Sequence, residues 1–164
     1  MLSKTMQNAV NEQIQKEYYS SYLYLAMSAY CEANNLPGSA KWMRIQSQEE
    51  LSHAMKLYDH VCDRGGRVTL QAIAQPPVEY TSALDVFEKV LEHEQHVTAS
   101  IHALYALSMK ENDYPFQIAL QWFVNEQVEE EKSASLVVEQ LKAVGESKTS
   151  LMLLDRHLAK RGAS

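Results

Sequence analysis

Five residues of this chain carry side chains suited to holding cations: Glu17, Glu50, His53, Glu94 and Glu130. Each sits where an apolar residue would be expected. A helix buries one side through residues spaced three and four apart. In the first helical segment that stripe reads Val10, Ile14, Glu17, Ser21, Tyr24. In the second it reads Met43, Gln46, Glu50, His53, Leu57, and in the third Leu84, Phe87, Leu91, Glu94, Thr98, Ile101. The fourth reads Phe116, Leu120, Phe123, Gln127, Glu130, Ala134, Val137, Leu141. An acid interrupts all four stripes. One uncompensated buried charge costs several kcal/mol even after relaxation, and four together rival a domain's whole stability, about 5–15 kcal/mol. No Lys or Arg occupies a stripe position. A pair of divalent cations balances four carboxylates. Carboxylates with one imidazole suit a hard, redox-active ion and leave coordination positions free for oxygen.

The levels of these residues agree with a single site. Glu17 stands as far before Asn35 as His53 stands after it, and Glu50 lies one turn nearer. Glu94 stands nearly as far before Asp113 as Glu130 stands after it, and Gln127 lies one turn nearer. In two antiparallel hairpins turning at Asn35 and Asp113, all six converge at mid-height. The halves also echo one another: the separation from Glu17 to Glu50 equals that from Glu94 to Gln127. The ExxH of Glu50 and His53 answers to the QxxE of Gln127 and Glu130, and an i, i+3 pair shares one helix face. Two single glutamates plus a Glu-x-x-His pair from each of the other two helices is a known way for a bundle to hold two irons or two manganese ions, and this chain departs from it in having one His instead of two.

The elements that must position them follow from the punctuation. A first helix is expected from about Ser3 to Ala33, broken by Asn34-Asn35-Leu36-Pro37-Gly38, and a second from there to Arg64, stopped by Gly65-Gly66. Residues 66–81, with Pro76-Pro77, show no helical pattern. Ser82 and Asp85 resemble a capping box opening a third helix, which fades at Asn112-Asp113. Pro115 fits the first turn of a fourth helix that continues to about Val144, and a short closing helix covers about 148–159. Leu151, Leu154 and Leu158 give that closing helix one apolar face. The expectation is that this face meets other copies of the chain around a symmetry axis; the alternative is that it folds back on its own bundle. Short links make antiparallel neighbours. The central connection is longer: sixteen extended residues reach about 50 Å, against about 40 Å for a helix of about 27 residues. The expectation is an all-α fold, one domain over 1–164. It is an up-down-down-up four-helix bundle (about 3–144) with a long crossover between helices two and three and a short fifth helix.

Composition sets the outer limits. The chain has 164 residues, a net charge of -6, only 5 glycines and 4 prolines, and a pI near 5.5. It has no basic footprint for nucleic acid. The longest uncharged run, Tyr18 to Cys31, is too short to span a bilayer. Cys31 and Cys62 form no CxxC pair and no disulfide framework, and no apolar signal core opens the chain. A cytoplasmic setting is expected.

The chain resembles the bacterial non-haem branch of the ferritin family. The likeness runs from LSKTMQNAVNEQIQKEYYSSYLYLAMS through QSQEELSHAMKLYDHV and EHEQHVTASIHAL to DYPFQIALQWFVNEQVEEEK. The resemblance implies roles. The match to Glu17 binds a first iron with that to His53, Glu50 bridges both irons, and Glu94 and Glu130 bind the second. Gln127 supports the site by hydrogen bonding and Tyr24 lies close to it. A third iron site would use Glu49, Glu126, Glu129 and Glu130. The implied function is iron storage and detoxification. Fe(II) is oxidised by dioxygen or hydrogen peroxide, and ferric mineral is laid down in a homo-oligomeric cage, twenty-four subunits by resemblance.

Departures narrow the likeness. Bacterioferritins carry two ExxH motifs and a haem-binding methionine; here the second motif is Gln127-Val-Glu-Glu130 and Leu51 stands at the methionine position. Met55 lies one turn on, and no haem is expected. The CxxC-bearing iron domain of rubrerythrins is absent. The acids that line a threefold channel in animal ferritins are replaced by Gln117 and Leu120. His93 and His96 are expected at the surface, His60 at the bundle end, Trp42 and Trp122 in packing, and Glu131 on a solvated face. Two rival readings share the pattern: a di-iron oxygenase or peroxidase acting on another substrate, and a metal-free bundle serving as an interaction module.

Overall fold

The computed structural model describes residues 2–162, so the outermost residues of the expected domain lie outside the described residues. Five helices account for most of it: α1 (Lys4–Ala33), α2 (Pro37–Asp63), α3 (Ala83–Lys110), α4 (Tyr114–Val144) and α5 (Lys148–Leu158). Four starts are capped locally. Side chains of Ser3, Ser82, Asp113 and Ser147 accept the N–H of Met6, Asp85, Phe116 and Ser150, which satisfies donors that a helix start otherwise leaves free. In the Ser82 box the return bond goes to Thr81, whose N–H donates to Asp85 Oδ2 at 2.8 Å. Both hairpin turns use an asparagine in the left-handed region, Asn35 at φ 59 and Asn112 at φ 55, a conformation asparagine tolerates better than most residues.

The long connection, residues 64–82, behaves as a strap. Arg67 N–H donates to Gln7 Oε1 at 2.8 Å, and Thr69 N–H to Asn11 Oδ1 at 3.1 Å. Gln15 donates to the carbonyl of Ala72 at 3.2 Å, and the Tyr80 ring meets Tyr30 at 5.2 Å. The strap therefore climbs α1 from one end to the other. It delivers α3 parallel to α2, giving the up-down-down-up order. Among the described residues no helix is long and apolar enough to cross a membrane.

Two apolar clusters fill the bundle, one on each side of a polar layer. One contains Leu23, Met27, Met43, Phe87, Ala134 and Val138; the other Met6, Val10, Ile14, Leu57, Ile101, Phe116 and Leu120. Each large apolar side chain contributes about 1.5–3 kcal/mol on burial. Every expected stripe residue of α2 and α4 is buried. In α3 the stripe sits one residue over from the expectation at three places: Ala83, Val90 and Val97 are buried, while Leu84, Leu91 and Thr98 are half-buried. Adjacent residues at these levels both face inward, so spacing alone does not choose between them.

Within the chain the closing helix folds back on its own bundle through Leu151, Leu154 and Leu158, the first two only half-buried. They pack on the cluster beside the α1–α2 turn, with Leu158 buried there. The Asp155 carboxylate accepts the backbone N–H of Gly38 at 2.8 Å, and both the N–H and the hydroxyl of Ser39 at 2.7 Å. Leu36, at the start of α2, offers no capping side chain. Asp155 supplies that cap from the far end of the chain. Gly38 is required by the contact: a Cβ there would lie 1.7 Å from the Asp155 carbonyl oxygen.

Candidate metal centre

The polar layer gathers residues from all four long helices. Glu17 comes from α1, Glu50 and His53 from α2, Glu94 from α3, and Gln127 and Glu130 from α4; all are buried. Their metal-ligating atoms fall into overlapping sets, each with its members within 4.8 Å of one another. One set is Glu17, Glu50 and His53, and another is Glu50, Glu94 and Glu130. Glu50 belongs to both. A further set joins His53, Glu126 and Glu130.

Three glutamines aim their amide nitrogens at the carboxylates. Gln13 donates to Glu17 Oε1 at 2.8 Å. Gln46 donates to Glu50 Oε1 at 3.0 Å and to Glu130 Oε2 at 2.7 Å. Gln127 donates to Glu94 Oε2 at 3.1 Å and to the Glu94 carbonyl at 3.3 Å. The Tyr24 hydroxyl donates to Glu94 Oε1. Each carboxylate thus has at least one oxygen held by the protein. The remaining Oε2 atoms of Glu17 and Glu50 are buried with no hydrogen-bond partner. His53 Nδ1 approaches Glu50 Oε2 at 3.2 Å, without the alignment of a hydrogen bond. Buried orphan oxygens are rare and call for an explanation; a coordinated cation supplies one.

The electrostatics agree. Burial pushes the Glu17 carboxyl up to about 8, the neighbouring Glu50 charge adding to the effect and Gln13 opposing it. Burial and then Glu94 raise Glu130 to about 7. Burial also raises Glu50, helped by the Glu94 and Glu130 charges, and raises Glu94 against the pull of Tyr24 and Gln127. Without cations the layer therefore retains protons near neutral pH, and a cation entering it must displace them.

The family model of the ferritin-like domain matches residues 7–144. The chain belongs to the ferritin family. It is 42% identical over 161 residues to a bacterial non-heme ferritin of Bacteroides fragilis (strain 638R), covering 98% of this chain and 100% of that one. A bacterial non-heme ferritin of Campylobacter jejuni is 40% identical over 158 residues, 96% of this chain and 95% of its own. Among solved structures, an open pore ferritin from the archaeon Archaeoglobus fulgidus superposes with a TM-score of 0.96 at 50% identity, covering 97% of this chain and 98% of that one.

Around this ferritin core the other expected residues divide. Glu126 joins the cluster, its Oε1 4.0 Å from His53 Nε2. Glu49 is instead held by Arg161, Nη2 to Oε2 at 2.6 Å. Glu129 is exposed, 3.8 Å from Lys132 Nζ. His96 is exposed as expected, but His93 is only half-exposed. It wedges between α1 and α3 with Nε2 2.7 Å from Ser20 Oγ, and burial pushes its imidazole down to about 4. Glu131 is half-buried and accepts from Thr98 at 2.5 Å. His60 packs on Phe116 at 4.8 Å at the bundle end. Trp42 is buried against Phe87, while Trp122 is partly exposed and meets the His53 ring edge-on at 5.2 Å.

Sequence reading passed over Gln13, which it never singled out, and gave Gln46 no role beyond its place in a stripe. The signal was present: Gln13 precedes Glu17 by four residues and Gln46 precedes Glu50 by four, the spacing at which a helix brings two side chains together.

Proposed function

We propose that this ferritin-family chain stores iron and oxidises it on the way in, as a ferroxidase. The observation that carries the reading is Glu50: it is common to two ligand sets, and its buried Oε2 has no hydrogen-bond partner. One Fe(II) would be taken by Glu17, His53 and Glu50, the other by Glu94, Glu130 and Glu50. Two Fe(II) ions supply the two electrons that reduce dioxygen to hydrogen peroxide, or hydrogen peroxide to water. The protein's own contribution is charge compensation and placement. The glutamine amides and Tyr24 hold oxygens of the carboxylates, so the free oxygens converge before the ions arrive. Protons displaced from Glu17 and Glu130 leave as the ions bind.

Ferric product would pass to a mineral enclosed by a homo-oligomeric cage in the cytoplasm. A third ion fits beside His53, Glu126 and Glu130; recruiting Glu49 and Glu129 to it requires both to leave their present partners. The orphaned oxygens speak against a metal-free interaction module, since a bundle with no ion to hold gains nothing from leaving them unpaired.

Stopped-flow absorbance during Fe(II) addition is the test. Glu50→Ala and His53→Ala should abolish rapid oxidation while the native mass stays that of the assembled particle. Wild-type rates in both variants would overturn the assignment, and a small native mass for the wild type would overturn the cage.

A further inference from the structure

Among the described residues, Gln46 is the side chain that links α2 to α4 by hydrogen bonds within the ligand layer, bonding Glu50 and Glu130 at once. Both of its amide hydrogens are spent in doing so. Its usefulness depends on which way the amide faces. Turned over, the carbonyl oxygen would meet two carboxylates, lone pair against lone pair. Something must fix the orientation.

Arg161, beyond the end of α5, is placed to do this. Its Nη2 donates to Gln46 Oε1 at 2.7 Å and to Glu49 Oε2 at 2.6 Å. The guanidinium lies 4.0 Å over the Trp42 ring, and Nη1 reaches the Trp42 carbonyl at 3.5 Å. An aromatic face, a carboxylate and a carbonyl thus hold the fork before it reaches Gln46, and arginine carries no acceptor that could bond a reversed amide. We infer that Arg161 is a positioning residue for the metal centre, fixing the direction of the Gln46 amide and with it the spacing of Glu50 and Glu130. It touches no ligand atom of that pair itself. Asp155, six residues earlier, anchors the segment to the start of α2, so the C-terminal segment and the metal layer are mechanically joined through α2.

The other side of the layer repeats the device. Ser100 donates to Gln13 Oε1 at 2.6 Å, and Lys16 Nζ donates to that serine at 2.8 Å. There too a surface cation turns a glutamine amide toward a glutamate.

The inference rests on the di-metal reading, and Co(II) separates the two. Co(II) is not oxidised under these conditions and reports ligand geometry through its visible absorption. Assembled wild-type protein, Arg161→Met, Gln46→Leu and the double variant would be titrated with Co(II). Circular dichroism and native mass confirm that each variant folds and assembles. Arg161→Met should weaken Co(II) binding about threefold to tenfold, the worth of one buried hydrogen bond, and alter the absorption envelope. Arg161→Lys should restore part of the affinity. In the Gln46→Leu background the Arg161→Met change should have no further effect, because its route is gone. An unchanged isotherm and spectrum in Arg161→Met, or an equal loss in the Gln46→Leu background, would overturn the inference alone. Wild-type protein that fails to bind Co(II) would overturn the di-metal reading and this inference with it.

Discussion

Asp155 Oδ1 accepts the backbone N–H of Ser39 at 2.7 Å across 116 residues of sequence. A negative side chain at a helix start offsets the partial positive charge of the free N–H groups there. The Asp155 side chain is buried, so its loss would strand donors away from water.

Asp155→Ala should therefore destabilise the protein by about 1–3 kcal/mol, lowering the melting temperature by about 2–10 °C. Thermal circular dichroism on assembled protein checks it. An unchanged melting temperature would mean that the leucines alone dock α5. Gly38→Ala should act more severely, since a Cβ 1.7 Å from the Asp155 carbonyl forces the α5 backbone away. Limited proteolysis should then cut near residues 145–147, and resistance equal to wild type would contradict the tight approach.

The metal-free protein should lose stability as pH rises. Glu17 and Glu130 begin from 4.5 in the unfolded chain and reach about 8 and about 7 when folded. Between those values the folded state holds protons that the unfolded state has released, so stability falls with increasing pH. The contribution is intact below about pH 4.5 and is lost progressively up to about 8. Bound cations reverse the preference, because only ionised carboxylates coordinate them. Melting temperatures of metal-free and Zn(II)-loaded protein, measured from pH 5 to 8.5, should diverge as pH rises. Parallel curves would count against buried, protonated carboxyls.

Glu126 and Glu129 should behave differently although both were expected at a third site. Glu126 shares a ligand set with His53 and Glu130, whereas Glu129 is exposed beside Lys132. Glu126→Ala should weaken binding of the ion that follows the first pair by about tenfold, roughly the 1.4 kcal/mol of one lost ligand contact. Glu129→Ala should change it by less than about threefold, as expected for an exposed ion pair. Calorimetric titration with Zn(II) would show whether the two losses are instead equal.

Much of the centre was legible because its residues break a rule. Glu17, Glu50, Glu94 and Glu130 interrupt apolar stripes, and a buried carboxylate is costly enough to need a cause. The stripes of α2 and α4 stand as read. In α3, Val90 beside Leu91 and Val97 beside Thr98 leave the buried face open to two readings. The angle of His93 on α3 alone points it away from the buried face, but Ser20 and the Tyr19 and Tyr24 rings on α1 cover part of it. The leucines of α5 disclosed a face but not its partner. Neither Asp155 nor Arg161 carries a local signal, because each bonds residues more than a hundred positions away.

The strap along α1 has a consequence for how the centre comes into being. Glu17 and Glu50 belong to the first hairpin, Glu94 and Glu130 to the second, and residues 64–82 connect them. Contacts within each hairpin are local and form quickly, while contacts between hairpins wait on closing a long loop. Two preformed halves, each bearing like charges, must then meet. The tether makes their meeting intramolecular, at an effective concentration set by loop length rather than by how much protein the cell contains. A chain severed within the strap would turn that unimolecular encounter into a bimolecular one, and the centre would then form at a rate set by dilution.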